Sequence, residues 1–472
     1  MYSFNVFVAA ALLFHSHCTA YQLESPSAVK VVFTQTGLNL ISLRIANVIE
    51  NNLKHVPFKK CDGEIPLLAG RVDYSIFDIT TFQFHKPTIS SKINQADNSV
   101  TMNLMSESAS ISGRWKYNYR FNFFQSSDTG SFIGLIENIE MSLKMNVEVS
   151  KSSQFTLFSE TCSANITGLK INNINNGNWV YRYIMRDYTF NSKNLITKML
   201  CDDVQKILTR EGNRRLETFN YRTNISQKLT LLYHPVNAPT YQSTNMQFDL
   251  NGFFEDDLSS NDHIASMTAP SGYMLGMAYS DALFNSAVRV MFKKNLLKHV
   301  YRSENFKVLE KIEIPTSFLK DIKSIIVKIS AINIPVIYTN TSGMFCDAKI
   351  HIQFFTSNSF DIEGEFVRFN VSTHMSFRLK VTKNHIKAKI EDMKHVMEDH
   401  LSFMGNIKID DRHYLIEQAL KLFLQPYIND EFNKGIPLPG VDKIFYSDGL
   451  VKYEKNYVSF ACDFSIDASN SK

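Results

Sequence analysis

GRWKYNYRFNFF, residues 113–124, sets Tyr117, Tyr119, Phe121 and Phe123 on every second position, with Lys116, Asn118, Arg120 and Asn122 between them. A side-chain period of two belongs to a strand, and it sends the aromatic residues to one face and the polar and cationic ones to the other. Such a strand needs cover on one side only. The flanking sequence repeats the division: runs from Val72 to Phe84 and from Thr101 to Ile111 read as strands. Between Ile139 and Val149, the apolar Ile139, Met141, Leu143, Met145, Val147 and Val149 alternate with Glu140, Ser142, Lys144, Asn146 and Glu148. An ordinary strand has ~5–6 residues, so these segments predict a tall antiparallel sheet with one wet face.

Helical spacing brackets this block of strands. After an extended lead from Ala28 to Phe33, the stretch from Thr34 to Leu53 carries Leu38, Ile41, Ile45, Val48 and Ile49 on one helical face, widened by Leu40 and Leu43. A break at Pro57 predicts a loop holding Cys61 and Asp62, and a second helix runs from Leu195 to Leu208. The acidic run EDDLSSNDH, residues 255–263, reads as part of a linker. The order then recurs. A helix from Asp281 to Leu297 turns Phe284, Val288 and Met291 inward, and strands follow from Ser324 to Ile329, Phe345 to Phe354 and Phe369 to Val381, the last continued by Ile386, Ala388 and Ile390. A helix from Asp411 to Phe432 and a strand from Tyr457 to Ile466 close the chain. Helices are too few to cover both faces of a parallel sheet. The expected class is therefore α+β, with antiparallel sheets wrapped over long helices in two domains, 21–250 and 272–472, joined by a linker at 251–271.

A length of 472 residues suits two such cores. The 50 Lys+Arg against 46 Asp+Glu leave a net charge of only +4, which does not fit a nucleic-acid binder. VFVAAALLF at 6–14, closed by Cys18, Thr19 and Ala20, has the layout of a signal peptide over residues 1–20, although its start lacks Lys and Arg. The mature chain then begins at Tyr21 and is secreted and extracellular. No later run reaches the ~20 apolar residues of a membrane span. With Cys18 in the leader, Cys61, Cys162, Cys201, Cys346 and Cys462 remain, an odd number that leaves at least one thiol without a partner inside the chain. Cys346 and Cys462 fall on the apolar faces of their strands, as a second disulfide or as buried thiols. Sequons at Asn165, Asn224, Asn340 and Asn370 fit a glycoprotein. There is no CxxC, GxSxG, HExxH or Walker loop, and HVMEDH at 395–400 sets its histidines too far apart for one helical face. No metal, no cofactor and no enzymatic activity is expected.

Six segments resemble, in order, the family of bactericidal permeability-increasing protein, lipopolysaccharide-binding protein and plasma lipid-transfer proteins. They are AVKVVFTQTGLN, GRVDYSIFDITTFQF, ISGRWKYNYRF, the pair Cys162 and Cys201 around a helix, MLGMAYSDALFNSA, and GIPLPGVDKIFYSDGLVKYEKNYVSFACDF. The resemblance implies a boomerang of two elongated barrels joined by a central sheet, a Cys162–Cys201 disulfide, and an apolar lipid pocket in each half. Its first-half candidates are Leu38, Ile41, Ile45, Val48 and Ile49, and its second-half candidates are Phe284, Val288 and Met291. The same residues would serve equally as ordinary core.

The stretch around Arg114, Lys116 and Arg120 resembles the cationic tip that meets lipopolysaccharide in the bactericidal members, and Lys54, Lys59 and Lys60 fall where a second basic loop would lie. Trp115 there is expected at a lipid interface with its N–H toward water. Tyr117, Asn118 and Tyr119 dilute the cations, so the tip is less basic than the bactericidal pattern. The expected partners are phospholipids, then lipopolysaccharide or the bacterial outer membrane, through peripheral contact. The expected role is innate defence against Gram-negative bacteria, with lipid transfer between particles as the alternative and a secreted non-lipid interaction protein as a third reading.

Overall fold

The computed structural model describes residues 27–54, 57–67, 70–121, 123–173, 179–191, 193–257, 267–268, 272–303, 322–358, 363–382, 384–447 and 449–466. The leader at 1–20 and most of the stretch at 251–271 lie outside them.

In the first half, β1 (Val29–Thr34) leads into α1 (Gln35–Leu53). The strands β2 (Cys61–Leu67), β3 (Gly70–Phe84), β4 (Thr88–Asn94), β5 (Ser99–Phe121), β6 (Phe124–Val149) and β7 (Phe155–Asn173) follow, and then α2 (Trp179–Asn191) and α3 (Lys193–Leu216). The runs from Thr101 to Ile111 and from Gly113 onward are one strand. β5 pairs with β6 from Val100↔Met145 to Phe121↔Phe124, so a single long hairpin forms the spine of the sheet β2-β3-β5-β6-β7, with β4 beside the start of β5. Cys61 and Asp62, expected in a loop, belong to β2, where Cys61 lies opposite Ile76 and Asp62 opposite Ser75. The disulfide Cys162–Cys201 ties β7 to α3.

Between the halves, β8 (Arg222–Ser226), β9 (Leu229–Leu232), β10 (Thr240–Tyr241), β11 (Asn245–Leu250) and β12 (Phe253–Phe254) precede β13 (Leu275–Ser280) and α4 (Asp281–Lys293). β1 is bonded on one side to β11 and on the other to β13, with Val29 opposite both Leu250 and Tyr279. The repeat of architecture is visible at this seam. β1 ends in Thr34, whose side chain caps α1 by accepting from the Gly37 N–H, and β13 ends in Ser280, which caps α4 by accepting from the Ala282 N–H. The run read as a linker begins as an anchor: Glu255 pairs with Arg222 (2.7 Å), Asp256 with Lys294 (2.7 Å) and Asp257 with Arg289 (2.8 Å).

The second half continues with β14 (Lys298–Ser303), β15 (Ile322–Ala331), β16 (Val336–Asn340), β17 (Gly343–Asn358), β18 (Glu363–Thr382) and β19 (His385–Ser402). It closes with α5 (Ile409–Gln418), a π-helical turn (Ala419–Leu424), α6 (Gln425–Lys434), β20 (Ile436–Pro437), β21 (Ile444–Tyr446), β22 (Leu450–Glu454), β23 (Tyr457–Cys462) and β24 (Phe464–Ile466). Ile386, Ala388 and Ile390 do not prolong β18. The chain reverses at Asn384, with φ at 64°, and these residues run back as β19. The central sheet β10-β11-β1-β13-β23-β22 thus takes strands from both halves. The two elongated sheets are antiparallel and curl over their helices as expected of the class. Among the described residues their strand orders run from one edge to another without closing, so they are open sheets and not closed barrels. Each half has its own buried apolar cluster, and Tyr221, Leu231, Tyr233 and Phe254 pack into the second-half cluster.

A candidate lipid cavity and a charge-balanced tip

The second half holds a partly open cavity of about 260 Å³. One wall is α4, which presents Phe284, Val288 and Met291, the residues expected there. Another wall is α6 with Tyr427, Ile428 and Phe432, together with Leu424 at the end of the π turn. Strand residues such as Cys346, Ile350, Met375 and Phe377 close the space between the helices. Alternation on β17 and β18 explains why: Cys346, Ala348 and Ile350 face in while Asp347 and Lys349 face out. The lining carries almost no charge. Burial, with Asp347 adding to it, pushes the Cys346 thiol up to about 12, so it stays protonated at neutral pH. Polar groups gather at one rim, where the His299 ring lies 4.0 Å from that of Tyr301 and 4.1 Å from that of Tyr427, beside Glu431. Burial holds His299 below the ordinary histidine range, against the pull of Glu431. The volume falls just under the ~300–1,000 Å³ of drug-sized sites, and the lining is largely apolar.

The first-half candidates separate. Leu38 and Ile49 are buried in the first-half cluster, and Ile45 and Val48 pack against it. Ile41, on the same helix, packs against the second-half cluster instead. Leu43, expected to widen the buried stripe, is 64% exposed.

The cationic stretch lies on the outer face of β5, and the neighbouring strands bring carboxylates to it. Arg71 lies opposite Arg120, Asp73 opposite Asn118 and Ser75 opposite Lys116, while β2 sets Glu64 opposite Asp73 and Asp62 opposite Ser75. Arg120 consequently meets Asp73 at 3.6 Å, Arg114 meets Asp78 at 3.7 Å and Lys60 meets Asp62 at 2.9 Å. Lys54 is paired with Glu50 at 3.2 Å. Lys116 lies 5.9 Å from the centre of the Phe77 ring, and Lys59 is exposed. Spacing along one strand showed the cations and could not show the acids across the ladder.

Trp115 does not reach water. It is 2% exposed, stacks on Tyr117 at 5.9 Å and meets Tyr181 of α2 at 5.0 Å. Gly130 makes room for it, since a Cβ there would stand 2.5 Å from the indole. The aromatic face emerges only at the end of the hairpin, where Phe121 is 40%, Phe124 63% and Phe123 fully exposed.

Cys346 and Cys462 are buried free thiols, and Cys61 is half-buried and free. Asn165 and Asn224 are exposed, whereas Asn340 and Asn370 are half-buried and Asn370 meets His351 at 2.6 Å. Among the described residues no group of three or more His, Cys, Asp or Glu is placed to hold a metal, and no helix is long and apolar enough to cross a membrane.

Open antiparallel sheets over helices, a shared central sheet and an apolar interior space define a two-lobed α+β protein with room inside for hydrocarbon. Comparison with known sequences is consistent with that. Residues 37–210 match the N-terminal domain of the LBP / BPI / CETP family and residues 223–466 match its C-terminal domain, and the chain belongs to that family. It is 21% identical to lipopolysaccharide-binding protein of Bos taurus, over 93% of this chain and 94% of that one. It is 20% identical to bactericidal permeability-increasing protein of Rattus norvegicus, over 91% and 92%. The crystal structure of a lipopolysaccharide binding protein superposes with a TM-score of 0.60 at 16% identity, over 93% of this chain and 99% of that one, a likeness of fold.

Proposed function

We propose that this is a secreted protein that takes acyl chains of a phospholipid or of lipopolysaccharide out of water into its second-half cavity, in defence against Gram-negative bacteria. The observation that carries the reading is the cavity between α4 and α6, walled by Phe284, Val288, Met291 and Phe432. Each buried CH₂ contributes ~0.8 kcal/mol, so a chain of ~16 carbons offers on the order of 10 kcal/mol before ordering costs. The names of the relatives support lipopolysaccharide as a target. The tip supports a second reading, a carrier that touches lipid surfaces. Arg114 and Arg120 are matched by carboxylates, and three exposed phenylalanines end the hairpin. A wedge of that kind suits a zwitterionic surface better than a phosphate-rich one.

Native mass spectrometry of the purified protein is expected to show co-purified or added phospholipid at stoichiometric level; lipid-free protein that takes up nothing from vesicles would end both readings. Binding to lipopolysaccharide and to phosphatidylcholine vesicles then separates them. Loss of lipopolysaccharide binding in the Arg114→Ala, Lys116→Ala, Arg120→Ala triple variant, with strong salt dependence, supports defence. Salt-insensitive vesicle binding that survives this variant and is lost with Phe121→Ser, Phe123→Ser and Phe124→Ser supports the carrier.

A further inference from the structure

The two helical walls of the cavity are built differently. α4 buries Asp281, Ala282, Leu283, Phe284, Ser286 and Val290. Polar side chains pin it to its surroundings. Asp281 accepts from the N–H (2.9 Å) and hydroxyl (2.6 Å) of Thr339, Asn285 exchanges two hydrogen bonds with the Ile337 backbone (2.7 and 2.8 Å), and Arg289 is paired with Asp257, whose side chain is fully buried. α6 faces the same cavity and buries none of its residues completely: Ile428 is half-buried against the second-half cluster, Tyr427 is half-buried, and the Phe432 ring meets that of Phe377 at 5.4 Å. It hangs between two special pieces of backbone. Upstream is the π-helical turn Ala419–Leu424, whose Ala419 and Leu420 are buried and mark the last firm hold. Downstream, Gly435 has φ at 79°, and a Cβ there would stand 2.9 Å from that of His385, so no other residue fits without a shift. Side-chain latches hold α6 and the turn before it: the Tyr301 hydroxyl donates to the carbonyl of Phe423 in the π turn (2.6 Å), and on α6 the Ile390 N–H donates to Asn429 Oδ1 (2.8 Å), Lys387 Nζ donates to Asn433 Oδ1 (3.3 Å) and the Tyr427 ring rests on His299.

We propose that α6 is the door of the second-half cavity, swinging on the π-helical turn and on Gly435 against α4 as the fixed wall. The proposal rests on the reading of the cavity as a lipid site. A segment whose side chains are at most half-buried opens at a smaller cost in apolar burial than one that buries six completely. π turns also recur where a helix is interrupted for function. Opening α6 removes Tyr427, Ile428 and Phe432 from one side of the cavity together and widens its mouth.

Two measurements test this. By hydrogen exchange of the lipid-free protein, amides of Gln425–Lys434 are expected to exchange at least tenfold faster than those of Asp281–Lys293; equal protection overturns the door. By stopped flow, a phosphatidylcholine carrying one pyrene-labelled chain, presented in phosphatidylcholine vesicles, is expected to load and leave several-fold faster in Tyr301→Phe and in Asn429→Ala, neither of which lines the cavity, with the equilibrium distribution changed less than twofold, because a door moves both rates together. Val288→Ala, in the fixed wall, is expected to change retention without accelerating loading. Uptake by the wild type at rates that neither latch variant alters sinks the door and leaves the lipid reading standing. No uptake by any form sinks both.

Discussion

At the scale of single residues, the sharpest distinction lies between ion pairs that look alike on paper. Arg289 and Asp257 meet at 2.8 Å with side chains 15% and 0% exposed, whereas Arg214 and Glu211 meet at 2.6 Å with Arg214 64% exposed. Removing one partner of a buried pair strands a charge, at a cost of about 3–5 kcal/mol, while an exposed pair is worth about 0–1 kcal/mol. Asp257→Ala is therefore expected to lower the denaturation midpoint strongly, Glu211→Ala barely, and Asp257→Leu with Arg289→Met to recover much of the loss. A chemical denaturation series settles it. Nothing in the local sequence separated these cases. Asp257 sits in an acidic, polar run that reads as a linker, and only the arrival of α4 beside it makes it an anchor. Trp115 is a similar case. Its alternation showed which face of the strand it takes, but its burial depends on Tyr181 of α2 coming across the sheet.

Secondary elements were legible where the buried face imposes a period. The long strands and α1 announced themselves by alternation and by three-and-four spacing. β7 carries a mixed pattern and was not foreseen. α2 has Val180, Tyr181, Ile184, Met185 and Tyr188 buried on one helical face, a signal present in the sequence but crowded by aromatic and β-branched residues. The last helix reads as one piece because its apolar pairs recur every four residues, at Leu415 and Ile416, Ala419 and Leu420, Phe423 and Leu424, and Tyr427 and Ile428. Four exceeds the 3.6 residues of an α turn, and the wider π turn keeps the stripe facing inward. Where α5 meets β19, the rings of His413 and His395 lie 6.2 Å apart. Burial first, and then His413, lowers the pKa of His395, with Glu417 opposing. Unfolding frees His395 to bind a proton at its ordinary value of ~6.5. The stability that neutral His395 confers is thus complete above that pH and is lost as pH falls through it toward the lowered value. The melting temperature is expected to drop between about pH 7 and pH 5, and His395→Gln to flatten that slope; an unchanged slope rules out this contact as its source.

On the scale of the whole molecule, the repeat of helix, strands and helix was readable, and the family resemblance supplied the central sheet that local pattern could not. Pairing across more than two hundred residues leaves no periodic trace. That sheet predicts how the halves hold together. A protease site inserted at residues 258–266, once cut, is expected to yield a particle that still elutes as one species under native conditions and separates into two chains only in denaturant. The reason is that β1 of the front piece stays bonded to β13 of the rear piece, from Val29↔Tyr279 to Phe33↔Leu275.

The same pairing orders events during synthesis. β1 leaves the ribosome well before its partners Asn245–Leu250 and Leu275–Ser280, and the sheet is extended last by Tyr457–Cys462, which pairs with Leu275–Ser280. Until Asn245–Leu250 and Leu275–Ser280 have followed, Val29–Thr34 is an unsatisfied strand with both edges open. The first-half sheet, whose strands are neighbours in sequence, can close early, and β1 must wait for strands more than two hundred residues downstream. A nascent chain of this protein therefore depends on being sheltered at its front end for longer than its local contacts alone would require.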